Sequence, residues 1–224
     1  MIEFSRVRVA TKADEAYVDR CRLLAFREKQ DAETINEADL LCKNDPPSSR
    51  NLVVERDGHI VATQAVVLAT TLDELRKVLR DQTIWHPPMP VVVTKRGATP
   101  PSIPELPGQN LRSKGYNKML RYWVIRTSLA MRVAAIMGRH GSGTQLESFL
   151  GSIGFDTWNA DLTQKGEVVY KEGHRPIISR LSAFRFLSTL KILEADARIA
   201  FSWPDSNLPF LWTPAELGDI QSTT

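Results

Sequence analysis

The sequence predicts a mixed α/β (α+β) fold, because segments with strand periodicity and helix periodicity alternate along the chain. Residues 51–68 predict a β-hairpin around Asp57-Gly58, a dipeptide that favours a tight turn. Residues 116–130 have the apolar spacing of a helix and run into an apolar stretch at 133–137. A short amphipathic helix then starts at Gln145 and ends at a glycine cap, Gly154, before a new strand.

The N-terminal elements follow from the same patterns. Residues 6–9 alternate polar and apolar side chains, as a half-buried first strand does. Thr11 is a candidate N-cap, and Asp14 stands three residues later, as in a capping box. The helix that follows places one apolar face along Tyr17, Val18, Cys21, Leu24 and Ala25. The polar stretch 31–50 is predicted to be a loop with a short helix.

Residues 70–104 combine a predicted helix, Leu72–Leu79, with two proline-rich runs, 86–90 and 99–104. Proline cannot donate a hydrogen bond to a central strand ladder. We therefore expect residues 70–104 to cross the surface as an insertion rather than to pair inside the sheet, and to line a cleft.

The C-terminal part, residues 171–224, is predicted to be an extension packed on a core domain of residues 1–170. Its apolar spacing favours a helix over Ile177–Leu193 and a last strand over Ala197–Phe201. A tail rich in tryptophan and proline follows. We expect this tail to pack against the body of the protein or against a second subunit in a homodimer.

A basic segment separates Glu105 from Glu147 and contains no acidic residue. Its cations are Arg112, Lys114, Lys118, Arg121, Arg126, Arg132 and Arg139. Residues 112–117 lead directly into the predicted helix, whose first N–H groups and dipole favour an anion, and Gly115 allows close approach of the backbone. The segment therefore predicts a phosphate-binding loop. A solvated basic helix is the alternative that the charge alone leaves open.

The hairpin, the basic loop and the second helix together resemble the GNAT superfamily of N-acyltransferases. The segment Arg112-x-x-Gly115-x-Asn117 stands where that family has its pyrophosphate loop, and Phe149-x-x-x-x-Gly154-Phe155 stands where it ends its last helix. The resemblance covers about residues 6–170. It implies a mostly antiparallel central sheet flanked by helices, with a splay between the fourth and fifth strands where an acyl thioester binds.

The long stretch between the hairpin and the basic loop is similar to one branch of the family, which contains N-acyl amino acid synthases and acyl-homoserine-lactone synthases. Glu105-Leu106 keeps half of a Glu-Leu-Ser-Arg-like signature of that branch, and Pro107-Gly108 replaces the other half. The resemblance implies acyl-CoA or an acyl-phosphopantetheine on acyl carrier protein as donor, and a small-molecule amine as acceptor.

The resemblance also implies the residues of the site. The donor phosphates are expected on Arg112, Ser113, Lys114, Gly115, Tyr116 and Asn117, and an oxyanion-hole N–H is expected within a central strand at 106–111. Glu105 is the first candidate for the base and His140 the second; a surface glutamate and a loop histidine are the alternatives. Leu150 stands where many members have a tyrosine that acts as acid.

Composition limits the other function classes. A chain of 224 residues with 42% hydrophobic residues can bury one substantial core. The net charge of +3 is small, which makes nucleic-acid binding unlikely, and Cys21 and Cys42 lack the spacing of a metal site. Since no apolar run is long enough to span a membrane, we expect a cytoplasmic protein.

The predicted function is transfer of an acyl group from acyl-CoA or acyl carrier protein to a primary amine. The alternative is a catalytically inactive module with the same fold that binds a thioester or a carrier protein.

Overall fold

The computed structural model describes residues 5–29, 32–85, 87–161, 168–196, 202–204 and 211–212. The helices are α1 Glu15–Arg27, α2 Leu72–Leu79, α3 Tyr116–Ala130, α4 Gln145–Ser152 and α5 Phe186–Glu194. The strands are β1 Ser5–Val9, β2 Ala32–Ile35, β3 Ser49–Arg56, β4 His59–Ala69, β5 Val91–Ala98, β6 Ala135–Gly141, β7 Asp156–Asn159, β8 Val168–Tyr170, β9 Pro176–Ser182 and β10 Ser202–Pro204.

The main sheet has eight strands in the order β10-β1-β3-β4-β5-β6-β9-β7. Its neighbouring strands are antiparallel, except that β1 pairs with β10 and β5 pairs with β6 in parallel. Strands β2 and β8 form a separate two-stranded sheet. The predicted mixed, mostly antiparallel sheet flanked by helices is therefore confirmed.

The parallel strands β5 and β6 separate at their carboxyl ends. Their pairing ends at Thr94 and Gly138, although β5 continues to Ala98 and β6 continues to Gly141. Gly138 permits the close approach at this last rung, because a Cβ there would lie 2.9 Å from Thr94 Oγ1. Since β5 and β6 are the fourth and fifth strands of the main sheet along the chain, the predicted splay is confirmed.

A β-bulge in β5 lies directly beyond this last rung. Between two successive rungs with β4, strand β5 has Arg96 and Gly97, whereas β4 has only Gln64. Arg96 has a φ of 52°, in the left-handed region that an arginine seldom adopts. Because a bulge bends its strand and leaves a residue outside the ladder, it turns the end of β5 away from β6.

Both faces of β5 are buried. Val92 packs in the cluster that contains α3, and Val91 and Val93 pack in the cluster that contains α2. These three valines have no solvent exposure, as expected of side chains that alternate between two covered faces. Helix α1 covers another part of the sheet through Val18 and Cys21.

The prediction that residues 70–104 stay outside the sheet is wrong for residues 91–98, which form β5 in its centre. The prolines flank this strand and do not interrupt it. The apolar side chains of this segment serve the core instead of a cleft, since Ile84, Val91 and Val93 pack in the cluster that contains α2 and Val92 packs in the cluster that contains α3.

The prediction of one helix over Ile177–Leu193 is wrong in its first half. Residues 176–182 form β9, which pairs between β6 and β7, and the helical part begins with a 3₁₀ turn at Ala183–Arg185 that leads into α5. The main sheet therefore extends beyond residue 170, and the predicted boundary there does not separate a core from an extension.

The tail contacts the body of the protein at the two places that the structure describes. Strand β10 pairs with β1, and Leu211 and Trp212 belong to the main core cluster. Trp212 Nε1 donates to Ser48 O over 3.3 Å. The last strand predicted at 197–201 lies outside the described residues.

A buried ionic network joins α1 to the bulge of β5. Asp45 lies between Arg22 of α1, at 3.0 Å, and Arg96, which contacts its second oxygen. All three side chains are at most 5% exposed. Because removing one member of a buried pair leaves an uncompensated charge, this network fixes the bulge relative to α1.

We expect Asp45→Asn to destabilise the fold by about 3–5 kcal/mol, since two buried guanidinium groups lose their carboxylate. Urea denaturation measures the change. Glu37→Gln is the control, because the Arg27–Glu37 pair is exposed on both sides, and its stability should equal that of the wild type. Equal stability of both variants would contradict the role of Asp45.

Candidate active site

A cavity of about 110 Å³ lies where β5 and β6 separate. Its walls come from the carboxyl ends of these strands, from α1, α3 and α4, and from β8. The lining residues are Phe26, Lys29, Gln64, Thr94, Lys95, Arg96, Gly97, Arg121, Gly138, Arg139, His140, Leu146, Leu150, Val168, Tyr170 and Ser179. Ligands of sheets with parallel strands collect at this carboxyl end.

The lining is basic, and the described residues that form it include no aspartate or glutamate. Several of its cations have partners: Arg96 contacts Asp45, Arg139 Nη1 donates to Leu79 O over 3.1 Å, and Lys29 Nζ lies 5.2 Å from the centre of the Tyr170 ring. A concave site of one sign focuses the electrostatic potential. The cavity is therefore suited to a substrate with negative charge.

Arg121 of α3 reaches the last rung between β5 and β6. Its Nη1 donates to Thr94 Oγ1 over 3.0 Å, and its guanidinium lies 5.7 Å from the centre of the Phe155 ring. In the described part of the chain, no carboxylate forms an ion pair with Arg121. Burial lowers its pKa to about 10. An anion bound beside it would offset the cost of burying this charge.

His140 lies at the end of β6 and is 6% exposed. Its Nδ1 lies 3.1 Å from Gly141 O, a geometry that assigns the hydrogen to Nδ1 and the lone pair to Nε2. Nε2 is buried and has no hydrogen-bond partner among the described residues. Burial, and then the charge of Arg121, lower the pKa of His140, so the ring is neutral at pH 7. Its Nε2 is therefore a proton acceptor at the cavity.

Glu105, the other predicted base, does not line this cavity. Its Oε1 accepts from Arg20 Nη1 over 2.6 Å, and this arginine holds the pKa of Glu105 below its ordinary value. Glu105 and residues 106–111 lie in turns, bends and irregular backbone, outside any strand. The central strand predicted at 106–111 is therefore wrong: β5 has that place, and its bulge at Arg96-Gly97 lines the cavity instead.

The basic loop leads into the N-terminus of α3. Arg112–Lys114 form a single turn of 3₁₀ helix, which includes the backbone of Ser113, and Gly115 follows with a φ of 78°. The N–H groups of Lys118 and Met119 donate to Gly115 O, so α3 begins directly after this glycine. The turn presents the backbone at a helix N-terminus, which suits an anion.

The side chains of this loop also serve the fold. Tyr116 is buried, and its hydroxyl accepts from Arg56 over 3.2 Å. Asn117 Oδ1 accepts from Thr99 Oγ1 over 2.9 Å, and Arg112 lies 3.4 Å from Glu28. Among the predicted phosphate ligands, Tyr116 and Asn117 can therefore contribute mainly their backbone groups.

Sequence reasoning missed Arg121, Thr94 and Gln64 as site residues. Gln64 is 7% exposed, and its Nε2 donates to Lys95 O over 2.6 Å at the bulge. A glutamine within the apolar run 60–69 is a signal that could have identified it, since a polar side chain in a buried strand needs a partner. Arg121 is one of several cations on α3, and its position towards the sheet is visible only in the fold.

Leu150 of α4 lines the cavity at the position of the expected tyrosine and is 1% exposed. An alkyl side chain has no proton to give. Tyr170 of β8 is the tyrosine among the lining residues.

Metal-ligating side chains do not cluster within the described residues, where no three His, Cys, Asp or Glu come together. The helices in the same part of the chain do not combine the length and apolar character needed to cross a bilayer.

No protein-family model and no curated protein matches this chain. Solved structures do match it. FeeM, an N-acyl amino acid synthase from uncultured soil microbes, is 14% identical with a TM-score of 0.59, over 87% of this chain and 98% of FeeM. BjaI, a CoA-dependent acyl-homoserine lactone synthase, is 14% identical with a TM-score of 0.59, over 99% and 100% of the two chains. An N-acetyltransferase from Staphylococcus aureus Mu50 is 12% identical with a TM-score of 0.52, over 80% of this chain and 98% of the acetyltransferase. The chain therefore has the fold of the GNAT acyltransferases and of the two synthase types.

Proposed function

We propose that this protein is an N-acyltransferase, which moves an acyl group from a thioester donor to a primary amine. The observation that carries the proposal is the cavity between β5 and β6, where a neutral imidazole with an open Nε2 stands among basic lining residues, none of those described being a carboxylate. The fold shared with FeeM and BjaI supports acyl transfer as the reaction class.

The donor is an acyl-CoA or an acyl-phosphopantetheine on a carrier protein. Its phosphates bind the loop of residues 112–117 at the N-terminus of α3, and its thioester lies between the separated ends of β5 and β6. The extra residue of the bulge at Arg96-Gly97 turns backbone towards the thioester carbonyl, where N–H groups stabilise the developing oxyanion.

The acceptor amine must be neutral when it attacks the thioester carbon. His140 Nε2 accepts the proton of the amine, because its pKa lies below the ordinary value and the ring is in its basic form at neutral pH. Glu105 as base remains a second prediction, since its carboxylate is engaged by Arg20 outside the cavity lining.

Leu150 stands where many GNAT members have a tyrosine that acts as the acid. This favours a second candidate function, a module that binds a thioester or its carrier protein without turnover. The two functions differ in one property, release of free thiol.

We expect thiol release to require both a donor and an amine. The assay combines the purified chain with acetyl-CoA, octanoyl-CoA or octanoyl carrier protein and a mixture of amino acids, and follows thiol colorimetrically and the amide by mass spectrometry. Donor binding without thiol release in any combination would overturn acyl transfer and favour the binding module.

Gly115→Val should raise the donor Kd by at least about tenfold, roughly 1.4 kcal/mol, because a β-branched residue resists a φ of 78° and fills the space next to the phosphates. Calorimetry measures the Kd. Gly58→Val is the matched control, since Gly58 has the same φ of 78° in the β3–β4 turn. An equal donor Kd in Gly115→Val and the wild type would remove the loop from the donor site.

His140→Gln should lower the rate at saturating donor by about 10²–10⁴-fold and leave donor Kd unchanged. Protonation of the amine lowers the rates of the wild type and His140→Gln alike. Because the pKa of His140 is lowered, the ratio of the wild-type rate to the His140→Gln rate should fall only below about pH 6.5, where the ring gains a proton. Glu105→Gln is the comparison and should stay within about threefold of the wild type. A large loss of rate in Glu105→Gln with a small loss in His140→Gln would make Glu105 the base.

A further inference from the structure

The leaving group of the proposed reaction needs a partner in the cavity. The amine nitrogen forms a bond to the thioester carbon, the carbon–sulfur bond breaks, and sulfur leaves with the electron pair as a thiolate. The amine proton passes to His140 Nε2 and then to solvent. Leu150 cannot protonate the sulfur, so its negative charge must be stabilised in another way.

Arg121 lies where the strands separate. It is anchored to Thr94, the last residue of β5 that pairs with β6. The Thr94 hydroxyl donates in turn to Met137 O over 3.3 Å. The Phe155 ring lies beneath the guanidinium, and the Phe155 N–H donates to Leu150 O over 3.0 Å. Arg121 therefore stands next to the segment that carries Leu150 and lines the same cavity.

Arg121 is distinguished from the other cations of the lining by its place at the last rung between β5 and β6. Arg96 contacts a carboxylate, Arg139 donates to backbone carbonyls and Lys29 lies over aromatic rings, whereas the Arg121 guanidinium donates to Thr94 Oγ1 at that rung and lies over the Phe155 ring. Arg121 is partly buried, and its partners among the described residues are neutral, so an anion that forms beside it during the reaction would be stabilised.

We propose that Arg121 binds the departing thiolate of the acyl donor and so takes the place of a proton-donating tyrosine. This inference rests on the proposed function. A guanidinium does not give up its proton readily, so the sulfur leaves as an anion paired with Arg121. Thiolates beside cationic side chains are stabilised strongly relative to the thiol.

The test compares binding of CoA and desulfo-CoA, which lacks the sulfur, by calorimetry between about pH 6 and about pH 9, a range that spans the pKa of a free thiol. If Arg121 binds the thiolate, the affinity of the wild type for CoA relative to desulfo-CoA should rise with pH by about tenfold or more. CoA binding should release a proton that desulfo-CoA binding does not release.

Arg121→Met should abolish this pH-dependent difference, and Arg121→Lys should keep part of it. Arg126→Met is the matched control, since Arg126 lies on the same helix, is exposed, and pairs with Tyr122 outside the cavity. Tyr170→Phe tests the remaining phenol of the lining. Circular dichroism confirms that each variant is folded.

An equal pH dependence for CoA and desulfo-CoA in the wild type would overturn the inference without any variant. Loss of the difference in Tyr170→Phe, with no loss in Arg121→Met, would overturn it too and assign the sulfur to Tyr170. Amide formation with unchanged pH behaviour of CoA binding would overturn this inference alone. Failure of the wild type to bind CoA, desulfo-CoA and the phosphopantetheinyl carrier protein would overturn the proposed function with it.

Discussion

The separation of β5 and β6 beyond Thr94 and Gly138 is the constraint on which the rest of this structure depends. Parallel strands in a covered sheet normally remain hydrogen-bonded along their length, so a permanent gap needs a cause. Here the extra residue at Arg96-Gly97 turns the end of β5, and Asp45 holds Arg96 in its unusual conformation. Beyond the last rung the backbone groups of β5 that face β6 lose their strand partner, and side chains take over part of that role, as Gln64 Nε2 does by donating to Lys95 O.

The charges around this gap are arranged unequally. Asp45 neutralises cations on the side of α1, and on the side of α3 Arg121 has no carboxylate among the described residues. In a site of low dielectric such an imbalance has a larger effect than in water. Burial lowers the pKa of His140, and the charge of Arg121 lowers it further. One cation thus influences both the state of the base and the fate of the leaving group.

Much of the fold could be predicted from local signals. Asp57-Gly58 does form the turn between β3 and β4, with φ values of 51° and 78°, and Thr11 does form its capping box with Asp14. Helix α3 begins directly after Gly115, where its basic loop ends. In each case a few neighbouring residues determine the conformation.

The wrong predictions concern segments whose structure is determined by contacts with residues distant in the sequence. Val91–Ala98 carries no internal proline, yet the prolines around it obscured a strand that is central because β4 and β6 lie on either side. Ile177 and Leu181 fit a helical stripe equally well, and pairing with β6 makes them a strand. The position of Arg121 against Thr94 likewise depends on the packing of α3 on the sheet, which no local pattern reports.

Burial on both faces of β5 has a consequence for how such a site can diverge. Val92 packs towards one helix layer and its two neighbours towards another, so a slip of one residue would exchange the two faces and is opposed by both layers. The register that places Thr94 and the bulge is therefore set by apolar residues that never contact a substrate. The side chains that line the cavity can change while this strand register is kept. This is compatible with the common architecture of this chain, FeeM and BjaI at 14% identity.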